Sequence, residues 1–228
     1  NGENVNIVIF KPGDIKYDLN ENIKVHGLVS AKEFNNNTIK KYYLLHRKLK
    51  KFIKQNKTDC YLVFTETPIL LILLLRSIIR VPVIISERNN PDSYAEPIRR
   101  LLKMLVHRSD GYVFQTDTVK SWYKKYTKKK QMWVIPNAIN DEFLNQKRNN
   151  IREKKIVAVG RLEMQKNYPM LLKAFSMIDK KYDEYTLEIY GIGPLENEIK
   201  RMMMELGIEE RVFLHCMPKS IQKEIKDA

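Results

Sequence analysis

CYLVF (60–64), VPVIIS (81–86), GYVFQ (111–115) and MWVIP (132–136) are short apolar runs, and a helix-length segment separates each from the next. A strand with one wet face alternates apolar and polar residues, whereas a strand lacking that alternation is buried on both faces. Burial on both faces is the habit of parallel strands, whose crossover connections lay helices over the sheet. The chain is thereby committed to an α/β fold with a parallel sheet covered on both sides.

The same rhythm extends in both directions. VNIVIF (5–10) reads as a strand and IKVHGL (23–28) as a weaker one. Residues 38–55, TIKKYYLLHRKLKKFIKQ, place Tyr42, Leu45, Leu49, Phe52 and Ile53 on one helical face with lysines opposite. ILLILLL (69–75) lies between Pro68 and Arg76. It falls short of the ~20 residues that span a bilayer, so it predicts a buried helix. Residues 97–107 and 117–127 are also helical in pattern. After the polar linker NQKRNNIREK (145–154) a second series opens: KIVAVG (155–160), a helix near 168–180, TLEIYG (186–191), a helix at 194–206, RVFLHC (211–216) and a helix from Ser220. The expectation is two doubly wound, Rossmann-like units, 1–145 and 146–228. Such sheets run to about five or six strands. A second unit with three strands is therefore expected to be truncated, and the chain to be a piece of a longer protein.

Charge divides unevenly. The net charge is +14; residues 1–150 hold 27 Lys and Arg against 14 Asp and Glu, and residues 151–228 hold 14 against 13. A polyanion or an anionic surface met by the first half alone would explain this, as would plain solubility. Cys60 and Cys216 are far apart, no CxxC pair exists, and the four histidines have no metal-ligand spacing. Neither a disulfide framework nor a metal site is expected, and a reducing cytoplasm is the simplest compartment. The opening NGENVNIVIF lacks a signal region.

Three strand ends carry chemistry-bearing residues. GRLEMQKN (160–167) follows a strand and precedes a helix. Gly160 permits close approach of a ligand or of backbone, Arg161 offers a planar fork for phosphate, and Lys166 a mobile point charge. Asn167 is a helix-capping residue ahead of Pro169. Together they make a diphosphate-sized anion site; the alternative is a pair of solvated loop cations. YGIGPLENEI (190–199) sets Gly191 and Gly193 between strand and helix, where they would free backbone N–H groups for an anion or merely serve a tight turn. The third glycine of the dinucleotide fingerprint is missing, which argues against NAD. ISERNNPDSY (85–94) clusters Glu87, Arg88, Asn89 and Asn90 at a strand's carboxyl end, suited either to acceptor chemistry or to a solvated Asn-Pro turn. His215 and Cys216 close another strand, where a lone histidine is usually structural.

IVAVGRLEMQKNYPMLLKAF followed by LEIYGIGPLENEIKRMMMELGIEERVFLHC resembles the second domain of the retaining glycosyltransferases of family 4, and ISERNNP, GYVFQTDTVKSWY and VIPNAI resemble the first domain of its bacterial members that build cell-surface polysaccharides. The resemblance covers nearly the whole chain. It implies the GT-B architecture, a nucleotide-diphosphate sugar as donor, no cofactor and no metal. Gly160, Arg161 and Lys166 would grip the donor diphosphate. Gly191, Gly193, Cys216 and Met217 would hold the nucleotide. Glu87 and Asn89 would stand near the reacting sugar, Glu87 only loosely matching the family's usual group there. Arg88 and Asn90 would face the acceptor, lipid-linked or saccharide. The family's Gly-rich N-terminal loop and its C-terminal pair of glutamates with seven residues between them have no counterpart here, so little or no transferase activity is expected of these 228 residues alone. The basic half, through KKYYLLHRKLKKFIK and KKYTKKK, would rest on the anionic inner leaflet as a peripheral membrane protein. A nucleic-acid binder is the rival from another class, without a recognition helix or an aromatic-studded sheet to support it. A sugar-nucleotide epimerase of the same fold is the second.

Overall fold

A computed structural model describes residues 3–10, 13, 19–35, 38–127, 131–139, 143, 153–178, 182–216 and 221–228. Most of the expected linker, the last three lysines of KKYTKKK, and Met217 lie outside the described residues. The chain divides into two compact units, Asn1–Asn137 and Ala138–Ala228. Each has its own apolar cluster.

The first unit opens with β1 (Asn6–Ile9) and β2 (Lys24–Gly27), paired in parallel. A short helix α1 (Ala31–Phe34) follows, closed by a reciprocal cap between Ser30 and Glu33, and then α2 (Thr38–Gln55). The remaining elements alternate strictly: β3 (Tyr61–Phe64), α3 (Glu66–Leu74), β4 (Val83–Glu87), α4 (Glu96–Leu105), β5 (Gly111–Phe114), α5 (Asp117–Lys124) and β6 (Gln131–Val134). Strands β3 to β6 form one parallel sheet in chain order. The two central strands find the burial they predict, Val83, Ile85, Tyr112 and Phe114 being inaccessible to water, whereas the flanking strands correct the expectation of cover on both faces: Leu62, Phe64 and Trp133 stay exposed. The ILLILLL segment is mostly buried, with Ile69 and Leu73 fully enclosed and Leu74 exposed. Helix α2 seats Leu45 and Leu49, while Tyr42 sits at the rim at 37% exposure.

The second unit runs β7 (Lys155–Val159), α6 (Tyr168–Ser176), β8 (Thr186–Tyr190), α7 (Glu196–Glu205), β9 (Val212–His215) and α8 (Ile221–Asp227). Its three strands form a parallel sheet, also in chain order. Leu187, Ile189 and Val212 pack beneath Leu172, Phe175 and Ile199 of the helices.

Register decides what lies at the sheet edges. Val159 pairs with Tyr190, and Tyr190 with His215, so the residues that follow, Gly160, Gly191 and Cys216, leave the sheet side by side. In the first unit Phe64 pairs with Ser86 and Glu87 with Phe114, and Phe114 with Val134. The loops at 65, 88, 115 and 135–137 therefore share one edge. Carboxyl ends of parallel strands are where such folds bind ligands.

Candidate functional site

In the second unit the two loops at the carboxyl edge lock together through backbone. The Gly160 N–H donates to the Tyr190 carbonyl at 3.0 Å, the Leu162 N–H to Ile192 at 3.0 Å, and the Leu195 N–H to Leu162 at 3.1 Å. The sheet pairing is thus prolonged past the strand ends, with Leu162 fully buried beneath it. A β-carbon on Gly191 would lie 2.0 Å from the Gly160 carbonyl oxygen, and one on Gly193 2.5 Å from that of Leu162. These contacts, rather than a ligand, make both glycines obligatory. The Gly191 N–H is also spent, donating to the His215 carbonyl at 3.0 Å. The expectation that Gly191 frees an N–H for an anion is corrected accordingly.

Gly160 has a different neighbourhood. Its carbonyl accepts from the Tyr168 hydroxyl at 2.9 Å, and the Lys166 side chain passes across it, with Cε and Cδ 3.5 and 3.6 Å from where a β-carbon would stand. A β-carbon there would meet Lys166 at ordinary contact distance and crowd the Tyr168 hydroxyl at 3.1 Å. A single turn, Met164–Lys166, brings the lysine back over the strand end, and Asn167 then reverses the chain into α6 in the left-handed conformation at φ 52°. Asn167 caps nothing with its side chain, contrary to the sequence expectation; it is suited to its place because asparagine tolerates that backbone. Tyr168 is 3% exposed, and burial pushes its phenol above the usual range. Arg161, with 69% of its side chain exposed, pairs with Glu163 at 3.1 Å. The loop therefore presents one cation laid over Gly160 and a second held loosely at its side.

The His215 ring bonds Glu188 and stacks on Tyr190 with centroids 4.8 Å apart. Cys216 is a free, exposed thiol beside Gly191.

In the first unit the structure separates the four residues at 87–90. Glu87 is fully buried. One carboxylate oxygen accepts from the backbone N–H groups of Arg88 and Asn89 at 2.9 and 3.1 Å and from the Tyr94 hydroxyl at 2.8 Å. The other accepts from the Tyr123 hydroxyl at 3.0 Å. Both phenols are raised by burial first and by the Glu87 charge second. A carboxylate so enclosed does not reach a reacting sugar; Glu87 fixes the direction in which Arg88 and Asn89 leave the sheet. Asn90 is likewise a turn builder, its side chain accepting from the Asp92 N–H at 3.1 Å. Arg88 is half-buried and Asn89 exposed. The Arg88 guanidinium lies over the Phe64 ring at 5.6 Å and donates to Asn137 at 3.1 Å, and Gln115 bonds the same Asn137 oxygen. Gln115, Asn137, Tyr94 and Tyr123 escaped the sequence reading, because their spacing in the chain gives no sign that they converge.

The model for Glycosyltransferase Family 4 matches residues 2–143, and that for Glycosyl transferases group 1 matches residues 140–226. The chain belongs to Glycosyltransferase Family 4. A GalNAc-alpha-(1->4)-GalNAc-alpha-(1->3)-diNAcBac-PP-undecaprenol alpha-1,4-N-acetyl-D-galactosaminyltransferase of Campylobacter jejuni is 28% identical over 214 residues, which is 90% of this chain and 58% of that protein. The chain spans about half the length of the curated relatives it matches. Among solved structures, the sucrose-phosphate synthase of Thermosynechococcus elongatus superposes with a TM-score of 0.72 at 12% identity, over 95% of this chain and 61% of that one. The pneumococcal O-GlcNAc transferase GtfA in complex with UDP and GlcNAc gives 0.56 at 17% identity, over 75% and 37%. At these identities the likeness speaks for the fold, which is that of the GT-B glycosyltransferases.

Proposed function

We propose that the whole protein transfers a sugar from a nucleotide-diphosphate sugar to a lipid-linked or saccharide acceptor in the assembly of cell-surface polysaccharide, with retention at the anomeric carbon and without a metal. The observation that carries this is the Lys166 stem laid across Gly160 beside Arg161, at a strand's carboxyl end, in a chain of this family. When the bond from the anomeric carbon to the β-phosphate oxygen breaks, the electron pair stays on the departing diphosphate. Fixed cations at that place stabilise the transition state more than the ground state. Arg161 would exchange its exposed partner Glu163, a contact worth at most about 1 kcal/mol, for the diphosphate. Gly191 and Gly193 would hold the neighbouring loop in reach of the nucleoside, with Cys216 and Met217 beside it. Asn89 and Arg88 would face the transferred sugar and the acceptor, aimed by Glu87. The Campylobacter relative's name places its acceptor on diphospho-undecaprenol, which supports the lipid-linked reading.

A lipid-linked acceptor brings the protein to a membrane surface. No helix among the described residues is long and apolar enough to cross one. Helix α2 instead carries exposed Arg47, Lys50, Lys51 and Lys54, has no acidic residue, and leaves Ile39 and Tyr43 85% and 66% exposed. Each near-surface cation gains roughly 1 kcal/mol on an anionic leaflet. Replacing Lys50, Lys51 and Lys54 by Gln should weaken sedimentation with anionic vesicles about 100-fold, and equal binding to neutral vesicles would remove this part of the proposal.

Calorimetric titration of a panel of nucleotide sugars tests the donor reading. One of them should bind, and Arg161→Ala should weaken it at least tenfold; absence of binding by every nucleotide sugar would contradict it.

A further inference from the structure

Beside the loop that Glu87 organises, the first unit holds an open cavity of about 500 Å³, within the ~300–1,000 Å³ range of small-molecule sites. We propose that it is a subsite for a neutral pyranoside, one sugar unit of the acceptor glycan; this rests on the transferase reading above.

The lining comes from two directions. Helix α5 and its C-terminal cap contribute Thr118, Ser121, Trp122 and Lys125, spaced so that they share one helical face, with Asp117 at the first turn. The turn after β4 contributes Asp92, held by Asn90. The Trp122 indole N–H donates to Asp92 Oδ1 at 3.0 Å, and the nearest cation, Arg99, stands 3.9 Å from that same oxygen. Asp92 keeps 62% of its side chain exposed. Its second oxygen is a ready acceptor for a ligand hydroxyl.

The chemistry of this lining selects among ligands. The first 150 residues hold nearly twice as many cations as acids. Even so, the cavity's own lining carries two carboxylates against one lysine, and Arg99 is already engaged by Asp92, so a phosphate or nucleic-acid backbone would find no free cluster of cations there. A wholly apolar ligand would strand the hydroxyls and carboxylates unpaired. A pyranoside satisfies both kinds of wall: its hydroxyls donate to carboxylates and exchange bonds with Thr118 and Ser121, and its C–H groups rest against the part of the Trp122 indole that lines the cavity.

The site is also stiff, as a specificity pocket requires. Trp122 is wedged between Tyr123 and Tyr126, with centroids 4.8 and 4.9 Å away. Lys103 sits 6.0 Å from its ring. Tyr123 is tied through Glu87 to the backbone of Arg88 and Asn89. The wall of the cavity and the backbone of Arg88 and Asn89 are thus set by one buried carboxylate.

The test uses the 228-residue chain and methyl α-glycosides of glucose, galactose and N-acetylgalactosamine, followed by NMR of the indole N–H signals. Only Trp122 and Trp133 give such signals, and Trp133→Phe assigns them. At least one glycoside should shift the Trp122 signal in a saturable way. Asp117→Asn and Ser121→Ala, both surface changes outside the packed tryptophan, should weaken that binding fivefold or more. No shift with any glycoside overturns the proposal, and so does a shift that both variants leave unchanged. UDP, GDP and ADP titrated into the same samples report on the Gly160 loop separately. Nucleotide binding without a glycoside response sinks the subsite and leaves the donor reading standing, and the reverse result does the opposite.

Discussion

Gly191→Ala is the change whose consequence is best set by the coordinates. The new methyl group would stand 2.0 Å from the Gly160 carbonyl oxygen and 3.2 Å from a Leu162 methyl, with backbone rather than a flexible side chain as the first obstacle. Contact below 3.0 Å is not sustained by real β-carbons, so one loop must retreat by about 1 Å. That retreat strains three backbone bonds of 3.0 Å: Gly160 to Tyr190, Leu162 to Ile192, and Gly191 to His215. At ~0.5–1.5 kcal/mol each, the local loss is about 2–4 kcal/mol. Hydrogen exchange followed by mass spectrometry reads this directly, since 2 kcal/mol is a roughly 30-fold loss of protection. Peptides covering 157–163 and 189–196 should exchange at least that much faster. Gly27→Ala, where nothing lies within 4 Å, is the control and should leave its own segment unchanged. Wild-type protection in Gly191→Ala would refute the close-packed account of these two loops.

Two further outcomes follow from single residues. Lys48, together with the Ser30 backbone N–H, holds the Glu33 carboxyl down to about 2 from the ordinary 4.5. A depressed carboxylate contributes stability that is complete above about pH 4.5 and fades as pH falls toward 2, so the melting-temperature gap between wild type and Glu33→Gln should close across that window. A gap that is independent of pH would exclude the ion pair as its source. Thr65 caps α3 at φ 63° and ψ 160°, a region that only glycine occupies without strain. Thr65→Gly should raise stability by about 1 kcal/mol in urea titration, the relief of strain less the entropy of glycine, while Thr65→Ala should show no gain.

Much of the architecture was legible because burial writes itself into the apolar pattern. ILLILLL read as an enclosed segment and is so apart from Leu74, and the two central strands of the first sheet are buried as their unbroken apolar runs require, whereas Leu62, Phe64 and Trp133 on the flanking strands are not. Helix α1 was missed although Ser30 and Glu33 of SAKE stand at capping-box spacing; four residues are too few for periodicity to register. The site was harder. A glutamate before Arg-Asn-Asn reads as an active-site group or a solvated turn because buried carboxylates are rare, and Glu87 is buried only because Tyr94 and Tyr123 arrive from 7 and 36 residues away. The glycines of YGIGP resemble a ligand loop in sequence, whereas their necessity comes from the backbone at Gly160–Leu162. Residue type left Arg161 and Lys166 between an anion site and solvated loop cations, and the resemblance singled them out; Tyr168, which anchors the Gly160 carbonyl, needed the fold to be seen.

The central claim is that the Gly160 loop grips a diphosphate. It is tested most directly by the ratio of dissociation constants for a nucleoside monophosphate and the corresponding diphosphate, measured calorimetrically on wild type and on Arg161→Ala/Lys166→Ala. Two charge-assisted contacts at ~1.5–3 kcal/mol each predict that the diphosphate binds at least tenfold tighter, and that the double variant brings the ratio close to one. Equal affinities in wild type, or a preference that survives the loss of both cations, would contradict the account.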